Sequence, residues 1–425
     1  MPYFIRPPVE TPPVKNNRTT LYLVFLTLFI DMIGFGIVIP VLPLYAKNSG
    51  AFHASEHELA WIVGIYSLLQ FIFAPLIGKL SDRVGRKPVL AVSILGTAIG
   101  FAIIGAANTV TMLLIGRIID GISGGNISTA MACIADCTTK EERSRSMGMV
   151  GAAFGLGFVI GPALGGILSK FGHSVPFYVA SAMALTNAIL VIARLPETLT
   201  PEARHRNKQQ VPLREVFGGG HAATVTLALL SQVAGVTGFS VMTALFAIFC
   251  FNRYGYDAEH VGYVLAYVGI LGALMQGGLV RRLLKRPIEK PLAVIGTAIL
   301  ALAMAVLAIL PAGKSGGDLV FLLLACAGIS IGNSLSTPSL NGLASRTVDA
   351  HCQGRLMGLM QSAGALGRFL GPMLGYSLTY LDSFAQYGRV AFLASAGLLA
   401  LDCLLLLGLR VAPHMPVKEE APIPT

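Results

Sequence analysis

RSMGMVGAAFGLGFVIGPALGG, residues 145–166, aligns without a gap on RLMGLMQSAGALGRFLGPMLGY, residues 355–376. Arg145, Met147, Gly148, Gly157, Gly161, Pro162 and Gly165 find identical partners at Arg355, Met357, Gly358, Gly367, Gly371, Pro372 and Gly375. Gly157, Gly161 and Gly165 recur at every fourth residue, which on a helix makes a small, smooth face for close packing. An internal repeat of this kind is one of the signatures of secondary transporters built from parallel halves.

Working outward, both copies sit among apolar runs of the roughly 20 residues that a helix needs to cross a bilayer. The first half reads as spans 21–45, 58–78, 88–107, 110–134, 147–169 and 175–195. The second reads as spans 222–250, 258–280, 290–311, 317–343, 355–380 and 389–410. The expected fold is an all-α polytopic membrane protein, with twelve transmembrane helices in two pseudo-symmetric six-helix bundles. Its expected parts are a tail 1–20, a bundle 21–195, a linker 196–221, a bundle 222–410 and a tail 411–425. The linker holds PETLTPEARHRNKQQ, a charged stretch suited to a flexible connection.

Composition agrees. The 425 residues are 54% hydrophobic and only 12% charged, where a soluble chain carries about 25% charged residues. Most of the 31 Lys and Arg residues fall in alternate loops: Lys79 to Lys87, Lys140 to Arg145, Arg194 to Arg214, Arg281 to Lys290, and Arg346 with Arg355. The positive-inside rule places those loops, and both termini, in the cytoplasm. Lys47, Lys170, Arg253, Lys314 and Arg389 fall on the other side, and Arg117 and Arg368 within the membrane. The net charge of +10 reflects this alternation and not a nucleic-acid surface, because the basic residues form short clusters without a continuous stripe. The first apolar run is too long for a signal peptide. The six cysteines suggest neither a disulfide framework nor a metal site, and Cys133 and Cys137 read as packing residues.

Three stretches carry a family resemblance. GKLSDRVGRKP (78–88) resembles the loop signature of the major facilitator superfamily at nearly every position. In it Gly78 reads as a close helix contact, Asp82 as a partner for a helix N-terminus or an arginine, and Arg83, Arg86 and Lys87 as facing headgroups, with Gly85 completing the gating motif. GRIIDGISGGNIS (116–128) is similar to the family's fourth-helix arginine motif, and FGLGFVIGPALGG (154–166) to the signature of its antiporter branch. With FIDMIGFGIVIPVLPLY (29–45), these resemble the tetracycline-exporter group of drug/proton antiporters. The resemblance implies proton-coupled drug efflux from a bacterial inner membrane. It implies protons and a small-molecule substrate as partners and no cofactor, with each chain acting as a monomer. The third, eighth and ninth spans lack the intramembrane acid and histidine positions associated with tetracycline, so that substrate is not carried over.

Ionisable residues inside the membrane are costly and so point to function. Asp31 lies near the middle of the first span, and Asp120 sits three residues from Arg117, on roughly the same helix face. Asp31 is the expected proton carrier, with Asp120 and Arg117 either a coupled cluster or a fixed structural pair. Arg368 is expected to meet an anionic substrate or a carboxylate such as Asp402. Gln70, Asn126, Gln232, Gln276, Asn333 and Gln361 either bond between helices or line a cavity with Phe35, Tyr66, Phe239 and Phe246. Export of a polar metabolite such as a sugar, siderophore or organic anion, or uniport, is the competing transport reading. A receptor or scaffold fits less well, and no nucleotide loop, metal cluster or nucleophile–base motif suggests an enzyme.

Overall fold

The structure, a computed structural model, describes residues 17–48, 52–138, 140–199, 213–218, 222–283, 288–311, 313, 316–348, 352–383 and 386–409. Most of both tails, most of the linker and Lys314 lie outside the described residues. Among the described residues, ten helices are long and apolar enough to cross a membrane. Lys140–Ser169 and Gln353–Leu378 complete the twelve; they are the two repeat helices, the fifth and eleventh spans. Each packs on helices of both halves, which lowers its need for an apolar surface.

The repeat does one packing job twice. The fifth span lies along the first, where a Cβ on Gly161 would stand 2.7 Å from Gly36 Cα and from the Ile33 carbonyl. On Gly165 it would stand 3.0 Å from Ile37 Cα. The eleventh span lies along the seventh in the same way: a Cβ on Gly367 would be 3.0 Å from the Val233 carbonyl, and on Gly371 2.8 Å from the Ser240 backbone. Real Cβ atoms essentially never come as close as at Gly161 and Gly371 and seldom as close as at Gly165 and Gly367, so the helix pairs depend on glycine for this approach.

A second correspondence joins the first and sixth spans to the seventh and twelfth. Thr27 Oγ1 donates to Asn187 Oδ1 at 3.3 Å, and Ser231 Oγ donates to Asp402 Oδ1 at 2.5 Å. Asp402 is 1% exposed, so the carboxyl is committed to this interhelical bond. Because the N-terminal half uses an amide in the same role, Asp402→Asn is expected to keep transport and to change stability by less than ~1 kcal/mol. Asp402→Leu should cost more, since it strands the Ser231 hydroxyl; thermal melting of the purified variants checks both.

The halves meet where the second span crosses the eleventh, the fifth the eighth, and the first the seventh. This contact is concentrated at the end opposite the linker. There Gly64 meets Met373 and Phe369, Gly166 meets Ala258 and Glu259, and Gly262 meets Pro162. Lys170 pairs with Glu259 at 2.7 Å, and Glu56 takes both Lys47 and, at 2.9 Å, the Tyr387 hydroxyl. Toward the linker end the glycines of these helices have open space beside them among the described residues. A Cβ on Gly155, Gly277, Gly278, Gly354 or Gly358 would find nothing within 4 Å. The described contacts between the halves thus gather at the end opposite the linker.

Candidate functional site

The fourth span is where local sequence shapes the site. It runs as Val110–Ser123 and Asn126–Asp136, broken by a turn at Gly124 and Gly125. Gly121, Gly124 and Gly125 all press on the second span, their would-be Cβ atoms 2.8 Å from Tyr66 Cα, 2.7 Å from Tyr66 Oη and 3.0 Å from Ala74 Cα. The break exposes the Gly124 carbonyl, which accepts from Gln70 Nε2 at 2.9 Å. It also turns Asn126 toward the first span, where Asn126 Nδ2 donates to Asp31 Oδ2 at 2.6 Å. The other carboxylate oxygen, Asp31 Oδ1, is buried without a hydrogen-bond partner.

Arg117 is 2% exposed and fully engaged. Its Nη1 donates to Asp120 Oδ2 at 2.9 Å, its Nε to the Ile62 carbonyl at 3.2 Å, and its guanidinium carbon lies 4.5 Å from the Tyr66 ring centre. A small cleft of about 20 Å³ lies between these groups, lined by Asp31, Phe35, Tyr66, Asp120, Asn126 and others. Thr97 and Phe101 of the third span line it too, although that span's lack of charge had drawn no attention to them. The only signal was the placement of Gly100, which lets the third helix close on Asp120, its would-be Cβ 3.0 Å from Asp120 Cβ.

From this cleft the network crosses to the other half. Gln70 Nε2 also reaches the Tyr66 hydroxyl at 3.3 Å, and Gln70 Oε1 accepts from Arg368 Nη2 at 3.0 Å. Arg368 therefore does not pair with Asp402, which Ser231 holds elsewhere. Gln232 lies beside Arg368, as both approach Gly364. The remaining cavity candidates divide. Phe246 is 0% exposed in the core, ring to ring with Phe249, and so is not a cavity wall. Phe239 is partly buried against that core. Asn333 bonds Thr337 of its own helix, and Gln276 and Gln361 are exposed.

The gating motif also reads differently in three dimensions. Residues 78–84 are the last turns of the second helix and Arg86 starts the third, so only Gly85, at φ 127°, is a loop. Gly78 is not a close contact: its Cβ would meet Ser128 Oγ at an ordinary 3.6 Å. Arg86 does not face headgroups. It is 4% exposed and bonds Asp82 at 2.6 Å, Asp136 at 3.0 Å and Ser81 Oγ at 2.7 Å. Glu197, not Asp82, caps the third helix, taking the Arg86 N–H at 2.8 Å and the Lys87 N–H at 3.3 Å. Arg83 is exposed and Lys87 half-buried. The first linker residues thus belong to this cluster, with Thr198 and Leu199 buried.

Two pseudo-symmetric helical halves packed on each other, with a charged intramembrane cleft among the first four spans, define a multi-pass membrane transporter. The chain belongs to the Major Facilitator Superfamily, whose model matches residues 24–372, and it is accordingly not an enzyme. It is 33% identical over 395 residues to the tetracycline resistance protein, class C, of Escherichia coli, covering 91% of this chain and 95% of that one. It is 29% identical over 392 residues to multidrug resistance protein 2 of Bacillus subtilis (strain 168), covering 90% and 94%. Among solved structures, the human organic anion transporter MFSD10 superposes with a TM-score of 0.68 at 25% identity, covering 92% of this chain and all 100% of that one. The nucleoside transporter NupG superposes at 0.76 with 13% identity, covering 92% and 99%, and shows the fold alone.

Proposed function

We propose that this chain is a proton-coupled antiporter that exports a small amphipathic or lipophilic compound from a bacterial cell across the inner membrane. The observation that carries the reading is Asp31, a carboxylate in mid-span with one oxygen on Asn126 and the other buried and unpartnered in the cleft. A carboxylate taken out of water binds a proton more readily. Tetracycline and multidrug resistance proteins among its relatives support the efflux direction.

In this mechanism the linker end is cytoplasmic, as the distribution of Lys and Arg requires. The compound enters there and settles among Phe35, Tyr66 and Phe101. Opening the opposite end must break the Lys170–Glu259 pair and the Glu56–Tyr387 bond. A proton then reaches Asp31 from outside, and the neutral side chain favours return to the inward-open state. Arg117 and Asp120 act as a coupled pair that senses this change of charge, while the Asp82–Arg86–Asp136 cluster holds the linker end of the N-terminal half together as it rocks.

The test is compound-induced proton flux in proteoliposomes containing a pH-sensitive dye, screened over drugs and metabolites. A compound that moves protons in the opposite direction supports antiport and identifies a substrate. Transport with no proton movement would sink the coupling.

A further inference from the structure

Two ionisable groups beside the cleft have no counter-charge among the described residues. One is Asp31; the other is Arg368 of the eleventh span. The hydrogen bond of the Arg368 guanidinium is to a neutral amide oxygen, Gln70 Oε1 at 3.0 Å, and no described carboxylate pairs with it. A cation at that depth is costly and is seldom left without an anion. Helix packing does not require it. At the equivalent place in the first repeat stands Phe158, which meets the Phe35 ring at 6.2 Å, while the glycines already supply the close approach.

A second observation shows where an anion would sit. Gly364 precedes Arg368 by one helical turn, and a Cβ built on it lies 3.2 Å from Gln232 Nε2 and 3.5 Å from Arg368 Nη1. Nitrogens from the seventh and eleventh spans therefore approach one bare stretch of the eleventh helix, at Gly364. Gln70 takes the Nη2 arm of the guanidinium, while Nη1 lies 3.5 Å from the Gly364 Cβ position. A cationic Nη1 donor beside the Gln232 amide suits an anionic acceptor such as a carboxylate, through a charge-assisted hydrogen bond.

We propose that Arg368 and Gln232 form a subsite for the carboxylate of the transported compound, so that the preferred substrates are amphipathic organic acids. This rests on the cleft being the substrate path, but not on the coupling ion.

The test uses one dye in two forms, tetramethylrhodamine with a free carboxylate and its methyl ester, with binding to the purified transporter followed by fluorescence polarisation. The wild type should bind the acid at least about tenfold more tightly than the ester, the scale of one charge-assisted hydrogen-bonded pair. Arg368→Gln should remove that preference while leaving ester binding within about twofold, and Arg368→Lys should restore part of it. Gly364→Ala should weaken the acid alone. Equal binding of the two forms by the wild type, or a parallel loss of both in Arg368→Gln, overturns the subsite. Asp31→Asn, measured alongside, should keep the preference for the acid. If that preference is present and neither form moves protons, the subsite stands and the antiport reading falls.

Discussion

Asp31→Asn is expected to abolish uphill export driven by a pH gradient, by about 100-fold, near the upper end of coupling free energies between sites. Exchange of labelled for unlabelled compound at equal pH should stay within about threefold of wild type, because it needs the cleft but not a net proton transfer. The argument is geometric. Asparagine has the shape of aspartate, and its carbonyl oxygen can accept the same bond from Asn126 Nδ2, which now reaches Asp31 Oδ2 at 2.6 Å. The substitution therefore changes the one feature that sets Asp31 apart, a second oxygen buried with no partner, able to take and release a proton. Asp120 cannot stand in easily, as its Oδ2 is held by Arg117 at 2.9 Å. Parallel measurements of gradient-driven uptake and exchange in proteoliposomes separate the two activities. Wild-type uphill transport with unchanged pH dependence in the variant would remove Asp31 from the coupling path.

The architecture was legible in the sequence because it rests on periodic features: apolar runs of spanning length and a gapless repeat. Even the packing of Gly157, Gly161 and Gly165 could be read, since a four-residue glycine rhythm has few other uses in a membrane helix. The site was legible only in part. Arg117 and Asp120 are neighbours on one helix turn, so their pairing follows from spacing alone. Asp31 with Asn126, and Arg368 with Gln70, join residues far apart in the chain, and no local pattern places them together. Arg86 was misread for a related reason. A run of basic residues at a membrane surface looks solvated, but Asp136, at the end of the fourth span, and Glu197, in the linker, draw Arg86 inward. Phe246 was misassigned because an aromatic on an apolar helix looks alike whether it faces a cavity or the core.

The asymmetry between the ends of the bundle links these local features to movement. Helix contacts at the end opposite the linker are glycine-mediated and reinforced by the Lys170–Glu259 pair, whereas the linker end has space around Gly155, Gly277 and Gly358. Exposed ion pairs are individually weak, typically ~0–1 kcal/mol, so such a latch can be released without a large barrier. The close contacts within each half are of a different kind, and they hold each half rigid as the halves rock.

That difference puts Gly161→Val among the most damaging packing changes expected in this chain. The substitution would force a branched side chain into a space where even a Cβ lies 2.7 Å from Gly36 Cα and the Ile33 carbonyl. Both obstacles are backbone atoms of the first span and cannot rotate away, so the first and fifth spans must separate. Overpacking usually costs about 1–3 kcal/mol, and with no yielding side chain the cost here should reach or exceed the upper figure. Separating these helices would also displace Asp31 from Asn126, so transport should be lost with stability. Gly371→Val should behave alike, its Cβ 2.8 Å from the Ser240 backbone in the second copy of the repeat. Gly155→Val, on the same helix as Gly161 but with nothing within 4 Å, should leave folding intact. Detergent-solubilised yield and melting temperature of the three variants test this directly. Equal melting of Gly161→Val and Gly155→Val would mean that the glycine face does not hold the first and fifth spans together.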